Sequence, residues 1–457
     1  MAFRPDTGRR HVIIVGAGFA GVFAARELKN ADVDVTLIDR ENHHLFSPLL
    51  YQVATGLLSP GDIAPANRQI LDDLDNLYIV KGEVKDINVD EQTVTADIGP
   101  SHRDFEYDDL ILASGGNQSY FGNDHFAQYA PGLKTLDDAL EIRGRFIDAF
   151  ERAELTDDPE ERQKLLNFVI IGAGPTGVEL AGQLSEMAHR TLSGEFRNIN
   201  PDNVKIYLLD GAPQVLPPFG KKLGRKAQRM LEKLGIEVRL NAMVSNVDAT
   251  SVSYKTKDGD EVTLESYTKV WSAGVSASSL GARIAEQVGI DPDRGGKIPV
   301  NEDLTVGDKD NVFIVGDVMS RDKLPGVAQV AIQSGVYAAQ QIAKRAEGED
   351  PKDREPFSYY DKGSMAIISR FKAVAKIGDS ELAGLVPWFM WLGVHLWYMS
   401  GRRSRFNALV TWVSNIFSRR RGELTTTRQQ VVGRTGLDKL AEEKPEEFEA
   451  IYSRKNK

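Results

Sequence analysis

The sequence predicts an α/β protein made of two Rossmann-like units followed by a C-terminal helical region. Three observations predict it. A short apolar strand runs into a glycine-rich turn and a helix near the N-terminus. The same pattern returns about 155 residues later, and the composition changes sharply after Glu381.

The first unit begins with His11 to Val15, HVIIV, an apolar run suited to a strand buried on both faces. Gly16-Ala17-Gly18-Phe19-Ala20-Gly21 follows, then the helical stretch Val22 to Leu28 and a second strand, Val33 to Ile38, ending at Asp39. Each glycine has a physical task. Gly16 makes the tight turn, Gly18 lets a pyrophosphate approach the backbone, and Gly21 lets helix and strand pack closely. The helix N-terminus offers unpaired N–H groups and partial positive charge to phosphates. Asp39, 23 residues after Gly16, sits where a carboxylate can bond ribose hydroxyls. These parts predict a dinucleotide site.

The second unit repeats the order. NFVII, Asn167 to Ile171, leads into Gly172-Ala173-Gly174-Pro175-Thr176-Gly177, a helical run to Met187, and the strand Val204 to Leu209 ending at Asp210. Here the carboxylate follows the first glycine by 38 residues, a spacing widened by an insertion through His189 to Asp202. An acidic residue at Asp210 favours NADH over NADPH, because a 2′-phosphate would meet a negative charge. Two such sites in one chain imply one bound flavin and one exchanging nicotinamide, with a hydride passing between them.

Composition sets limits. A chain of 457 residues is expected to form two or three domains. Its net charge of −10 argues against nucleic acid as a partner. With no cysteine, it has no disulfide, no thiol redox pair and no cysteine-ligated metal, and no metal site is expected. Met1 to Arg10 is short and polar, unlike a secretory signal, so a cytoplasmic body is expected.

Three further strands close on small residues: Tyr107 to Gly115, Lys269 to Gly274 (VWSAG after its lysine), and Asn311 to Asp317, NVFIVGD. The order GxGxxG, small-residue strand, GxGxxG, small-residue strand, Gly-Asp resembles the two-dinucleotide-binding flavoprotein superfamily. Two segments narrow the resemblance. HHLFSPLLYQVATG, His43 to Gly56, and AQVAIQSG, Ala328 to Gly335, resemble the type II NADH:quinone oxidoreductases, single-subunit respiratory NADH dehydrogenases. The resemblance runs from His11 to about Gly378.

It implies FAD at Gly16, Gly18, Phe19, Ala20, Gly21, Asp39, Arg40, Ser47, Pro48, Val84, Ala113, Gly115, Gly316, Asp317, Ala328 and Gln329. It implies NADH at Gly172, Gly174, Pro175, Thr176, Gly177, Glu179, Asp210, Ala273 and Gly274. Asp317 would bond the FAD ribityl chain, and the next helix would aim its N-terminus at the flavin. Catalytic roles fall on Glu179, as a buried proton donor, and on Gln329 and Gln333, one helical turn apart, as quinone hydrogen-bonders. Plainer readings are a carboxylate stabilising a helix start and two solvent-facing glutamines. Either Lys372 or Lys376 could approach the quinone, although both read first as solvated strand lysines.

The expected organisation is a discontinuous FAD domain at 10–120 and 296–345, an NADH domain at 121–295, and a C-terminal region at 346–457. Thr135 to Asp138 resembles a capping box for the helix joining the halves. Within 385–421 there are four of the five tryptophans, six arginines and no acidic residue. Leu385 to Met399 is too short to span a bilayer as a helix. A second helix is expected with Ser404 as N-cap, an apolar face of Phe406, Leu409, Val410, Val413, Ile416 and Phe417, and Trp412 near its edge. Such a pair fits an anionic membrane surface, or else a soluble interface. Residues 422–457 are polar and read as either helix or disorder.

The expectation is therefore a peripheral enzyme on the cytoplasmic face of the inner membrane. It would be a homodimer that moves a hydride from NADH to FAD and two electrons to a quinone, menaquinone or ubiquinone, without proton pumping. The alternatives are an NADH oxidase, an iron–sulfur-protein reductase or an NADH-sensing redox switch.

Overall fold

In the computed structural model, which describes residues 2–430 and 443–444, the first expected strand forms over Arg10–Val15. It lies at the middle of a six-stranded sheet. Val33–Asp39 and Leu77–Lys81 extend the sheet on one side; Asp109–Leu112, Lys309–Ile314 and Thr305–Val306 extend it on the other. All pairs are parallel except the last. The interior strands are mainly apolar because helices cover both faces of a parallel sheet, with His11, Asp34, Thr36 and Asp109 buried among them. Lys309–Ile314 joins this sheet after the second unit has been completed, so the chain returns to where it began.

The second unit is a four-stranded parallel sheet in the order Ile236–Leu240, Lys205–Asp210, Asn167–Ile171, Thr268–Trp271. Taken from each unit's first strand, the order third, second, first, fourth is the same in both sheets. Each unit also carries a three-stranded antiparallel sheet, at 83–106 and at 243–265. The units are stitched by Gly116–Gln118 pairing antiparallel with Val275–Ala277. The helix Leu136–Leu155 joins them, and Asp138 does complete the capping box. The Asp138 N–H donates to Thr135 Oγ1 at 3.1 Å and the Thr135 N–H to Asp138 Oδ2 at 2.8 Å.

The C-terminal region is a three-stranded antiparallel sheet, Ser364–Ser369, Lys372–Ile377 and Ser380–Gly384, followed by two helices, Leu385–Tyr398 and Arg402–Phe417. The N-cap of the second is Gly401, whose φ of 86° suits glycine, and not Ser404. Ser404 is instead buried in the first turn. Trp412 is likewise buried, where an edge position was expected. The apolar face itself is open: Phe406 is 67% and Phe417 85% exposed, and Leu409, Val410 and Val413 are exposed too. Among the described residues no helix is long and apolar enough to cross a membrane. The tail is described only to Gln430 and at 443–444, so most of it lies outside the described residues.

This small sheet packs directly on the helix Pro175–Glu186. A β-carbon at Gly182 would lie 1.7 Å from the Ile368 carbonyl oxygen. Helix and strand backbones therefore touch without an intervening side chain. Gly182→Ala must push the sheet away, and forced repacking of this kind costs about 1–3 kcal/mol or more. We expect a lowered midpoint in thermal unfolding; an unchanged midpoint would show that the contact is not close in solution.

Candidate functional site

The first turn holds its shape by short backbone bonds. The Gly16 N–H donates to the Ile38 carbonyl at 2.8 Å, and Gly16 has a φ of +105°. A β-carbon at Gly21 would lie 1.8 Å from the Gly16 carbonyl oxygen, whereas one at Gly18 would meet nothing within 4 Å. Gly21 thus closes the turn onto its helix, and Gly18 leaves space beside it. No side chain caps the helix Phe19–Glu27, so its first N–H groups are open to an anion. Asp39 Oδ2 accepts from the Ala17 N–H at 2.5 Å and Oδ1 from the Glu41 N–H at 2.6 Å. Burial raises the Asp39 carboxyl above its ordinary value, and the two N–H donors oppose that.

A cleft of about 500 Å³ opens beside this turn. Of the expected residues, Gly16, Gly18, Asp39, Arg40, Val84, Ala113 and Gly115 line it. The others lie deeper or further along. Phe19 packs edge-on against His44 and Phe46. Ser47 and Pro48 form a short turn ahead of the helix Leu50–Ala54. Ala20 lies beneath the helix Ala328–Ala346, where a β-carbon at Gly335 would be 2.4 Å from the Ala20 carbonyl. Gly316 packs against Ala331 and Ala20 of the same crossing. Asp317 borders Gly116 of the cleft wall and Gly326. Ala328 and Gln329 open a helix that has no side-chain cap.

Sequence reasoning missed several lining residues. Lys134, Ser278, Ser279 and Arg283 all line the cleft. Burial lowers the Lys134 ammonium, and the nearby Asp317 charge opposes the shift. These four come from the connector and the far end of the second unit, and no local pattern marks them.

The second turn reproduces the first. Gly172 has a φ of +110°, and a β-carbon at Gly177 would lie 1.8 Å from the Gly172 carbonyl oxygen. Gly174 is open as Gly18 is, and Pro175 begins the helix. Thr176 falls in the same first turn. Asp210 Oδ2 accepts from the Ala173 N–H at 2.5 Å and Oδ1 from the Ala212 N–H at 2.7 Å. The carbonyls of Ala273 and Gly274 accept from Gln118 Nε2, which ties this turn to the first unit.

Glu179 is buried on the helix Pro175–Glu186, and its Oε1 accepts from the Ile367 N–H at 3.2 Å. Burial pushes its carboxyl up to about 8, against the pull of that N–H and of the Trp391 indole. Gln333 is fully engaged: Nε2 donates to the Tyr360 carbonyl and Oε1 accepts from the Tyr360 N–H, both at 3.0 Å. The Gln329 Oε1 is buried with no hydrogen-bond partner. The two glutamines therefore differ: one holds a backbone segment and the other has an open end. Gln333 and Glu179 attach to the same stretch of chain, at Tyr360 and Ile367. Lys372 and Lys376 are partly buried near the two ends of their strand, opposite Ser369 and Ser364.

The six arginines counted in 385–421 are not alike. Arg402, Arg403, Arg405, Arg419 and Arg420 are exposed, but Arg421 is buried. It donates to the Thr55 carbonyl at 2.6 Å and to Gln183 Oε1 at 3.0 Å. Burial pushes its guanidinium down to about 10. Arg421 therefore fastens the helix pair to the body and does not belong to an outward basic flank.

Residues 10–335 match the family described as pyridine nucleotide-disulphide oxidoreductase. The chain is 51% identical over 435 residues to the type II NADH:quinone oxidoreductase Ndh of Mycobacterium tuberculosis, covering 95% of this chain and 94% of that one. It is 52% identical over 429 residues to NdhA of the same organism, covering 93% and 91%. A solved structure of NDH2 from Plasmodium falciparum in complex with NADH is similar with a TM-score of 0.83 at 21% identity, over 90% of this chain and 99% of that one. At that identity the likeness is one of fold.

The raised Glu179 carboxyl has a consequence for stability. Below pH 4.5 it is protonated whether the chain is folded or not; between 4.5 and about 8 only the unfolded chain loses the proton. Stability therefore falls as pH rises through this window and levels off above it. Glu179→Gln removes the effect. Its unfolding free energy should match the parent near about pH 5 and exceed it increasingly toward about pH 8, by roughly a few kcal/mol. A gap that does not widen with pH would show that the carboxyl is not raised.

Proposed function

The chain belongs to the pyridine nucleotide-disulphide oxidoreductase family and within it to the type II NADH:quinone oxidoreductases, and from that premise we propose that it moves electrons from NADH through bound FAD to a quinone. The observation that carries the reading is the pair of matching turns, each with a carboxylate tied to its loop, in a chain with no cysteine to take the electrons. The disulphide that names the family is thus absent, and a diffusible acceptor takes its place.

The cleft suits FAD. Gly18 leaves a space that a β-carbon would partly fill, and Ser114 Oγ is buried with no partner on its wall. The Phe19–Glu27 N-terminus would hold the pyrophosphate and Asp39 the ribose, with Arg40, Val84, Ala113 and Gly115 lining the remainder. Gly316, Asp317 and the Ala328–Ala346 N-terminus would hold the flavin end. FAD, when bound, accepts a hydride and returns two electrons. Gly172, Gly174 and Gly177 would seat the NADH pyrophosphate, and Asp210 its ribose, disfavouring a 2′-phosphate. Ala273 and Gly274 would border the same site, their carbonyls held by Gln118.

Overall, NADH, one proton and quinone become NAD⁺ and quinol. Glu179, mostly protonated at neutral pH because burial raises its carboxyl to about 8, can supply a proton to a quinone oxygen. The open Gln329 Oε1 can accept from a quinol hydroxyl or, with the amide turned over, its NH₂ can donate to a quinone carbonyl. Gln333 acts through the Tyr360 segment that it holds.

The exposed faces of the last two helices suit attachment to a membrane surface. Leu385, Val386, Phe389, Val394 and Trp397 are exposed on the first, and Phe406, Leu409, Val410, Val413 and Phe417 on the second. Exposed arginines beside them suit anionic lipid. A cytoplasmic-face location and a homodimer complete the reading, and both rest on family resemblance.

The deciding experiment is NADH oxidation by the detergent-solubilised protein, with oxygen alone and with a soluble quinone. Fast turnover that requires quinone is expected; fast turnover with oxygen alone would make it an oxidase and sink the proposal. Asp210→Ser should bring NADPH use closer to NADH use by roughly tenfold in kcat/KM. For the surface helices, Phe406→Ser with Phe417→Ser should weaken sedimentation with anionic vesicles by roughly tenfold or more. Undiminished binding would place the contact elsewhere.

A further inference from the structure

The order of strands in the second unit lays out the two ends of its ligand. The glycine turn 172–177 follows the strand Asn167–Ile171, and Asp210 ends the neighbouring strand, Lys205–Asp210. A pyrophosphate over the turn and a ribose at Asp210 therefore occupy adjacent strand ends. On the other side of the turn stands Thr268–Trp271, and Ala273 and Gly274 beyond it are tied to the first unit by Gln118. The nicotinamide half must run that way to meet the flavin. The adenine, at the opposite end, is carried one strand further out, to the end of Ile236–Leu240.

The chain leaving that strand is Asn241-Ala242-Met243. It is bonded directly to the Asp210 loop. The Ala242 N–H donates to the Asp210 carbonyl at 2.9 Å, and the Asn241 N–H to the Ala212 carbonyl at 3.0 Å. Asn241 makes the bend with a φ of +53°, a conformation that asparagine tolerates. Met243 then opens the strand Met243–Val247. Ala242 is buried and Val244 packs onto the core beneath, so Met243 faces outward and is 65% exposed.

The Met243 thioether lies over Gly211, the residue that follows the ribose carboxylate. A β-carbon at Gly211 would be 2.9 Å from Met243 Cε and 3.6 Å from Sδ. A side chain at 211 would displace the end of Met243, and glycine leaves it in place. A thioether is flexible and polarizable, and it makes favourable contact with an aromatic ring. Covering it with a flat base also takes its exposed apolar surface out of water.

We infer that Met243 is the adenine platform of the NADH site. The base lies against its thioether, while Asp210 holds the ribose and the glycine turn holds the pyrophosphate. Met243 sets affinity for the adenosine half and does not touch the end that gives up the hydride. The inference rests on the NADH reading above and extends it by one residue outside the glycine motif.

The test follows quinone-dependent oxidation by the holoenzyme with two donors. One is NADH; the other is reduced nicotinamide mononucleotide, which has the same nicotinamide and no adenosine. Met243→Ser should lower kcat/KM for NADH roughly threefold to tenfold, mainly through KM, and leave the mononucleotide unchanged. Met243→Leu keeps the apolar area and should stay within about twofold of the parent with both donors. NADPH carries the same adenine, so its use should fall in Met243→Ser by the same factor as that of NADH. Asp210→Ser, in contrast, changes the ratio between the two. Leu155→Ser removes another exposed apolar side chain, at the end of the connecting helix, and should affect neither donor. Should the parent turn over the mononucleotide too slowly to measure, ADP-ribose takes its place, since it has adenosine and no nicotinamide. Its inhibition constant against NADH should rise in Met243→Ser by the same factor as KM. Equal losses with NADH and the mononucleotide, or an NADH KM and ADP-ribose inhibition left unmoved, overturn the inference. Failure of the parent to oxidise NADH with quinone would instead overturn the proposed function.

Discussion

The carbonyl oxygen of Gly16 occupies the place where any residue but glycine at position 21 would put its β-carbon, and Gly172 stands the same way to Gly177. On this backbone contact the rest of the architecture depends. It sets the angle between strand and helix and leaves the helix N–H groups facing outward. It also brings the loop alanine within reach of the aspartate ending the next strand. Anion affinity is then a by-product of how tightly a strand can turn into a helix. Two copies in one chain, locked together by Gln118 and by the strand pair 116–118 and 275–277, give two ligands fixed positions relative to each other.

The surroundings of Glu179 are assembled by the same economy of contact. Gly182 lets a strand backbone rest against a helix backbone, and the strand's Ile367 N–H finds the Glu179 carboxylate. A group this buried would ordinarily have to be neutral. One N–H and a nearby indole bring its carboxyl only part of the way back, to about 8. It is then poised to exchange a proton near physiological pH without being permanently charged in an apolar site. The apolar helices beside it contribute Trp391 and Trp412, so the outward-facing helices also form the wall of the interior.

How much of this could be read from residues in a row depends on the range of the interaction. Both glycine turns, their strands and their aspartates were legible, because each lies within one βαβ unit and the chemistry is local. The box at Thr135 and Asp138 was legible for the same reason. Ser404 was misread because a serine after a glycine suggests an N-cap, whereas the positive φ of Gly401 places the cap there. Arg421 was grouped with its exposed neighbours because sequence cannot show that Gln183 and Thr55, more than two hundred positions earlier, surround it. Gln329 and Gln333 look equivalent on a helical wheel. Only the position of Tyr360 tells them apart. Lys134 and Arg283 reach the cleft from a connector and from the other unit, and nothing nearby in the chain announces them.

The two units reach the same geometry along paths of unequal contour. From first glycine to aspartate the first takes 23 residues and the second 38. The extra chain leaves the helix through an irregular turn at Met187–Thr191 and returns by Pro201–Asn203, yet the Ala173–Asp210 bond is as short as the Ala17–Asp39 bond. A longer closed loop adds only a logarithmic entropy, about 0.6 kcal/mol per doubling. Length at this point is therefore nearly without thermodynamic consequence, while a single methyl group at Gly177 would not be tolerated. The fold separates what it constrains from what it leaves open. Chain can be added where the helix ends, opposite its glycine turn, and that turn does not register the change.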